Sequence, residues 1–385
     1  MSDTDRFNLP DSPERQGHRT SPLEGCWRPV RPWRGRATPA TPANPARNAT
    51  IDLFRVIAIF GVIVVHTDPV TRKVFTSAPE HLANLMITGA GRLAVPFFFV
   101  ASGYFFGGKV REGAPPLPLF ARYAKRLLRI WVLWSLIYLL IPLRLGQWQH
   151  QGWWQAVVEQ LRNMAAHPLL IVFVGGKGHL WFLMALVMAL AIAAICEKLR
   201  ARRLFYALGI ALYVYGLLTG LYANTAAGFS VPFDPRNGPV MSALLVACGY
   251  WIAGCHGRVD PVAAFAVMAI GLIGFEAELH WVPMLSSAWP PIIDYGVFTP
   301  VFGIGALLFG VAVPHLGGRW WPRVGAECVL GIYVCHELFV EPPWMLHAWF
   351  HNYAWEFLFP VIVFVLALGL TMLLARERHL RWLVR

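Results

Sequence analysis

The chain has 385 residues, 57% hydrophobic and only 14% charged, with a net charge of +12, and its mean hydropathy is +0.50. A soluble domain carries about 25% charge and about 45–50% apolar residues, so these figures exclude an ordinary water-soluble globule and point to an all-α polytopic membrane protein. The pI near 9.7 would by itself suit nucleic acid, but the bases sit in particular connecting segments, and no nucleic-acid partner is expected.

Residues 1–49 are rich in Pro and Arg, poor in aliphatics and without periodicity. Such a segment buries too little surface to fold alone; it reads as a disordered cytoplasmic arm, with arginines suited to anionic lipid. No short apolar core precedes residue 51, so no signal peptide is expected. Residues 50–376 read as a membrane domain of about ten transmembrane helices, at about 50–67, 89–107, 126–143, 179–197, 203–221, 238–255, 261–276, 295–314, 325–341 and 356–375. The span over 261–276 is short, and that over 325–341 carries Glu327, His336 and Glu337. Residues 377–385 form a basic cytoplasmic tail.

The charges of the connections test this count. The arm holds eight arginines, 108–125 holds Lys109, Arg111, Arg122 and Lys125, and 198–203 holds Lys198, Arg200, Arg202 and Arg203. Arg258, then Arg319 and Arg323, and finally Arg376, Arg378, Arg381 and Arg385 follow on the same side. The alternate connections hold mainly Asp68, Glu80, Asp234, Glu276, Glu278 and Asp294. Positive-inside bias then puts both termini in the cytoplasm, in a multi-pass protein of the cell inner membrane. The six cysteines show no CxxC and no zinc spacing; they read as small buried hydrophobes, and neither a metal nor a bound cofactor is expected.

The first span, "IDLFRVIAIFGVIVVHTD" (51–68), carries Arg55 and His66 within apolar surroundings. Eleven residues of helix rise about 16 Å and turn within ~20° of three full turns, so both share one face at different depths. Asp52 lies three residues before Arg55, within pairing reach. Snorkelling and an interfacial ring are the ordinary explanations for such residues; intramembrane ionisable groups are otherwise functional.

This stretch resembles the Asp-x-x-Arg…His opening of the membrane-bound acyltransferase family 3, whose signature is Arg, ten residues, His. "VPFFFVASGYFF" (95–106), "GHLWFLMALV" (178–187) and "LGIYVCHELF" (330–339) resemble three further family stretches, in the same order. The resemblance implies transfer of an acetyl or other acyl group, with acetyl-CoA as donor substrate, to a hydroxyl of a cell-surface or exopolysaccharide sugar or its lipid-linked precursor. The expected partners are therefore the bilayer, acetyl-CoA, a glycan or lipid-linked oligosaccharide acceptor, and polysaccharide assembly machinery. An alcohol needs a base before it attacks, and histidine is the usual one, so His66 is the expected base, with Arg55 on the donor side. His179, Trp181, Tyr333 and His336 map to the outer half and would line the same cavity; aromatic-belt placement for Trp181 and Tyr333, and a structural His336–Glu337 pair, are the alternatives. Ser102, beside Gly103, fits substrate contact or simple helix packing, and is not expected to be a nucleophile. "RYAKRLLR" (122–129) puts Arg122, Arg126 and Arg129 on one flank, suited to the phosphates of acyl-CoA or to positive-inside topology alone. The tryptophan-rich 147–155 stretch suits a sugar face or an interfacial amphipathic segment. A polysaccharide or lipid-linked sugar transporter or flippase without transferase activity is the alternative function; it predicts internal repeats and paired broken helices, which the sequence does not show.

Overall fold

The computed structural model describes residues 48–67, 86–141, 152–255, 257–285, 290, 293–344 and 353–385. The described residues contain helices and turns and no strand. In chain order the helices are α1 Ala49–Thr67, α2 Ala94–Arg111, α3 Pro116–Leu140, α4 Trp153–Ala166, α5 Pro168–Val174, α6 Trp181–Lys198, α7 Arg202–Thr219, α8 Pro239–Ile252, α9 Pro261–Met284, α10 Thr299–Ala312, α11 Trp321–Glu327, α12 Val329–Cys335, α13 Glu337–Trp344 and α14 Tyr353–Arg376. Five helical segments of the described residues are long and apolar enough to cross a membrane: Ala49–Thr67, Met86–Arg111, Gly178–Lys198, Pro261–Met284 and Ala354–Arg376. The described residues are all-helical, and these long apolar segments are those of a membrane protein.

Local chemistry sets the ends of these elements. Asn48 caps α1, accepting from the Ile51 N–H at 2.9 Å, while its amide donates to the Gly310 carbonyl at 2.7 Å and so pins α1 to α10. Asp260 caps α9 through the Ala263 N–H at 2.8 Å. Prolines begin α3, α5, α8 and α9, where their missing N–H costs nothing.

The helices meet through small residues, as lipid gives no hydrophobic drive for helix pairing. Gly103 on α2 lies so near the Val246 carbonyl of α8, and Gly249 so near the Val100 carbonyl of α2, that a Cβ at either would collide with backbone. The Ser102–Gly103 pair is thus a packing motif at its glycine. Gly325 on α11 abuts the Asp52 carbonyl of α1 in the same way. Helix α1 packs against α2, α10, α11, α12, α13 and α14.

Three expectations need correction. The helix expected over 261–276 continues to Met284 and has 24 residues. Its C-terminal turns hold Glu278, buried because its carboxylate accepts from the Val297 and Phe298 N–H groups at 2.8 and 3.0 Å and from Tyr222 Oη at 2.6 Å. The span over 325–341 is three short helices broken at Cys328 and His336. The helix expected from 126 begins a full ten residues earlier, at Pro116. The arm to residue 47 and most of the 147–155 stretch lie outside the described residues; Trp153 and Trp154 open α4 and are exposed. The C-terminal turn Arg381–Leu383 docks on the bundle: Trp134 Nε1 donates to the Leu383 carbonyl at 2.8 Å and Arg385 pairs with Glu327 at 2.9 Å.

Gly249→Val should cost about 1–3 kcal/mol of overpacking, which exceeds any gain in helix propensity. Gly369→Ala on α14, where a Cβ meets open space, should be neutral or stabilising by up to about 1 kcal/mol. Thermal melts of both variants in detergent check the pair; equal melting temperatures would remove the packing role of Gly249.

Candidate functional site

Three histidines and a glutamate converge where α1, the turn before α6 and the α12–α13 break meet. His66 stands one residue from the end of α1 with its side chain 32% exposed, and its Nδ1 lies 2.7 Å from Glu337 Oε1. Glu337 opens α13 and is buried. Its second oxygen lies 3.5 Å from Lys177 Nζ. His336, fully buried, places Nε2 4.0 Å from Glu337 Oε1. Its Nδ1 lies 2.6 Å from the Tyr333 carbonyl, which can only accept, so Nδ1 carries the proton and Nε2 presents a lone pair. His179 is buried, and neither ring nitrogen has a hydrogen-bond partner among the described residues. Its ring lies 5.1 Å from those of His336 and Tyr138 and 6.2 Å from that of His66.

Aromatic side chains fix this geometry. Tyr333 Oη donates to the His179 carbonyl, and Tyr138 Oη donates to the Val334 carbonyl at 2.7 Å. Tyr333 is buried rather than interfacial, which sets aside the aromatic-belt explanation. Trp181 lies at the periphery, its ring 6.2 Å from Phe99 and 5.9 Å from the Arg236 guanidinium. Arg236 is held by Asp234 and, at 2.7 Å, by Asp294, which also pairs with Arg92. This ionic clasp closes the end of the bundle over Trp181.

The remaining candidates do not join the histidines. Arg55 pairs with Asp52 at 2.9 Å and lies 4.8 Å over the Phe105 ring, about 16 Å of helix away from His66. Ser102 stands one helical turn from Phe105, on the Arg55 side of α2, and not beside His66. Arg122, Arg126 and Arg129 are exposed along the first half of α3. Phe106 of α2 meets Tyr123 of α3 at 6.2 Å, so Arg55 and this basic flank border the same end of α2.

Sequence reasoning missed Lys177 and Tyr138, and saw Glu337 only as a neighbour of His336. An acid inside an apolar span was the available signal for Glu337; Lys177 and Tyr138 carried none. His66, His336 and Glu337 offer ligand atoms within 4.8 Å of one another and could hold a metal ion. His66 Nδ1 is already engaged by Glu337 at 2.7 Å, while His336 Nε2 has no hydrogen-bond partner among the described residues, and a histidine oriented by a carboxylate is the arrangement of a general base.

A family model described as an acyltransferase domain matches residues 48–376. The chain is 25% identical over 351 residues to a serine/alanine racemase of Enterococcus gallinarum, a match covering 86% of this chain and 47% of that protein. It is 28% identical over 263 residues to an amino-acid racemase of Enterococcus faecalis, covering 62% of this chain and 34% of that protein. The chain thus spans half or less of the length of these curated relatives. No solved structure matches it. The family match runs from the cap of α1 to the end of α14 and takes in the four motifs and every residue of the histidine cluster, so the chain belongs to the membrane-bound acyltransferase family 3.

Proposed function

We propose that this membrane acyltransferase moves an acetyl group from cytoplasmic acetyl-CoA to a hydroxyl of a cell-surface or exopolysaccharide sugar, or of its lipid-linked precursor, with His66 as general base. The observation that carries the reading is the 2.7 Å contact between His66 Nδ1 and Glu337. A carboxylate there accepts the Nδ1 proton, leaves Nε2 as the basic nitrogen, and stabilises the imidazolium that forms during transfer. His66 Nε2 takes the hydroxyl proton as the oxygen attacks the thioester carbonyl. The tetrahedral intermediate then collapses, the carbon–sulfur bond breaks, and the proton passes from His66 to the departing CoA sulfur. His179, with two buried ring nitrogens that have no hydrogen-bond partner among the described residues, is suited to donate to the developing oxyanion. Tyr333 holds His179 through its carbonyl, and Lys177 neutralises Glu337.

The donor side of the proposal is the other end of α1. Arg122, Arg126 and Arg129 offer fork-shaped donors for CoA phosphates, and Arg55, braced by Asp52 and Phe105, lies between that flank and His66. The topology that serves this is ten spans with both termini in the cytoplasm, which puts His66 toward the outer side. The racemisation in the relatives' names belongs to proteins of which this chain matches half or less, and it is not carried over.

His66→Gln should lower transfer by about 10²–10⁴-fold at unchanged abundance. Glu337→Gln, which keeps the shape but not the charge, should lower kcat by at least ~10²-fold with the donor KM little changed. Normal acetylation by His66→Gln in complemented cells would remove His66 as the base.

Neutralising Arg126 or Arg129 should raise KM for acetyl-CoA by about tenfold, the worth of one charge-assisted hydrogen bond, and leave the acceptor KM in place. An equal change in both constants would leave those arginines a topological role only.

Reporter fusions after residues 70, 150 and 230 should all report the outer side. A cytoplasmic signal at any of them would overturn the ten-span arrangement.

A further inference from the structure

Beside the histidine cluster lies a cavity of about 310 Å³ that the chemistry above does not use. Its walls are α4, α5, the Gly175–Gly178 turn and Tyr138 of α3. Lys177 and Tyr138 belong to both places: they line the cavity, Lys177 Nζ lies 3.5 Å from Glu337, and the Tyr138 ring lies 5.1 Å from that of His179. Two side chains of the cavity wall thus reach the histidine cluster directly.

The turn is built to hold this wall. Gly175 has φ +72°, which favours glycine, and at Gly176 a Cβ would collide with the Ser135 carbonyl of α3. Gln160 of α4 donates to the Gly176 carbonyl at 3.1 Å and to the Tyr138 carbonyl at 3.4 Å. Both its N–H groups are spent on the wall, so its side-chain oxygen remains as an acceptor. Glu159 adds a carboxylate that makes no ion pair with a described residue, and Asn163 adds an amide. Lys177, the one lysine or arginine in the lining, is neutralised by Glu337, and His167 lines the cavity beside these groups. The cavity therefore presents acceptors in excess and an uncompensated negative charge. Met164, Leu170 and Ile171 supply apolar patches among these polar groups.

We infer that this cavity is the acceptor subsite, and that it takes an uncharged, hydroxyl-rich ring of monosaccharide size. Hydroxyl donors match its acceptors, the C–H face of a sugar ring matches its apolar patches, and the negative charge opposes phosphate and carboxylate. Its volume stands at the small end of ligand pockets, about 300–1,000 Å³, so a longer glycan enters by one terminal residue. The polyanionic donor is excluded by the same charge. This inference rests on the acyltransferase reading, and its test separates the two.

The full chain in lipid nanodiscs is given labelled acetyl-CoA with methyl glucoside, glucuronic acid, glucose 6-phosphate or free serine. Methyl glucoside is expected to be acetylated about tenfold or more in preference to the anionic sugars and to the zwitterionic serine, and Glu159→Lys is expected to bring the anionic sugars up by about tenfold. Asn163→Leu should raise the acceptor KM by about tenfold without moving the acetyl-CoA KM. Acetylation of the neutral sugar that is unchanged in both variants would overturn the cavity while leaving the acyltransferase intact; preference for serine or an acidic sugar would overturn the substrate class. Release of no CoA with any acceptor would instead count against the acyltransferase reading. A second measurement is independent of transfer: Asn163→Cys is alkylated by a maleimide, against the background of the unsubstituted protein, with and without methyl glucoside. Slower alkylation with the sugar supports the subsite, and an unchanged rate overturns it.

Discussion

Glu337 accepts His66 Nδ1 on one oxygen and faces Lys177 Nζ on the other, from a position only 6% exposed. A carboxylate in such surroundings is tolerable only while its partners stay in place, since removing one partner of a buried pair costs about 3–5 kcal/mol. The pairing therefore does two things at once. It ties together three stretches far apart in the chain, the end of α1, the 175–180 turn and the start of α13, and it fixes which nitrogen of His66 is basic. The cost of burying the charge and the orientation of the His66 ring come from the same contacts.

The break between α12 and α13 follows from that constraint. Axial bonding is partly kept there, the His336 N–H still donating to the Ile332 carbonyl at 3.0 Å. Irregular backbone at membrane depth is tolerated where protein buries it, and here the carbonyls at the break have work: Tyr333's meets His336 Nδ1, and Val334's accepts from Tyr138. The aromatic rings around His179 then fill the space that separated helices would leave. Polar groups of the cluster are fixed by neighbours that are themselves fixed, which is the arrangement a preorganised site requires.

Much of this was legible in the sequence, and the missing parts share a cause. The first helix, the shared face of Arg55 and His66, and the convergence of His66, His179, Tyr333 and His336 all follow from periodicity and motif. The length of α9 did not, because Glu276, Glu278 and His280 break its hydropathy; Glu278 is tolerated only because distant N–H groups and Tyr222 satisfy it. Ser102 belongs with Arg55 and not with the histidines, since α2 runs antiparallel to α1 and its glycine serves contact with α8. Lys177 and Tyr138 were invisible because each acts through a partner more than 150 residues away. Local pattern reveals what a helix buries, while pairings between helices depend on packing that no local window contains.

The depth difference along α1 separates two clusters of different electrostatic character. Arg55 and His66 stand on one face about 16 Å apart, and between them α1 is apolar. The arginine end is bordered by the basic flank of α3 and by exposed cations, an environment that draws a polyanion. The histidine end is bordered by a cavity whose Glu159 makes no ion pair with a described residue, an environment that disfavours one. Under the proposed reaction, a donor bearing phosphates would place its charged end at the first and extend an uncharged arm toward the second. An uncharged hydroxyl compound faces no such barrier at the histidine end. In the proposed reaction, the charges at the two ends of one helix would sort donor and acceptor to opposite sides, with only the thioester and the hydroxyl meeting at His66.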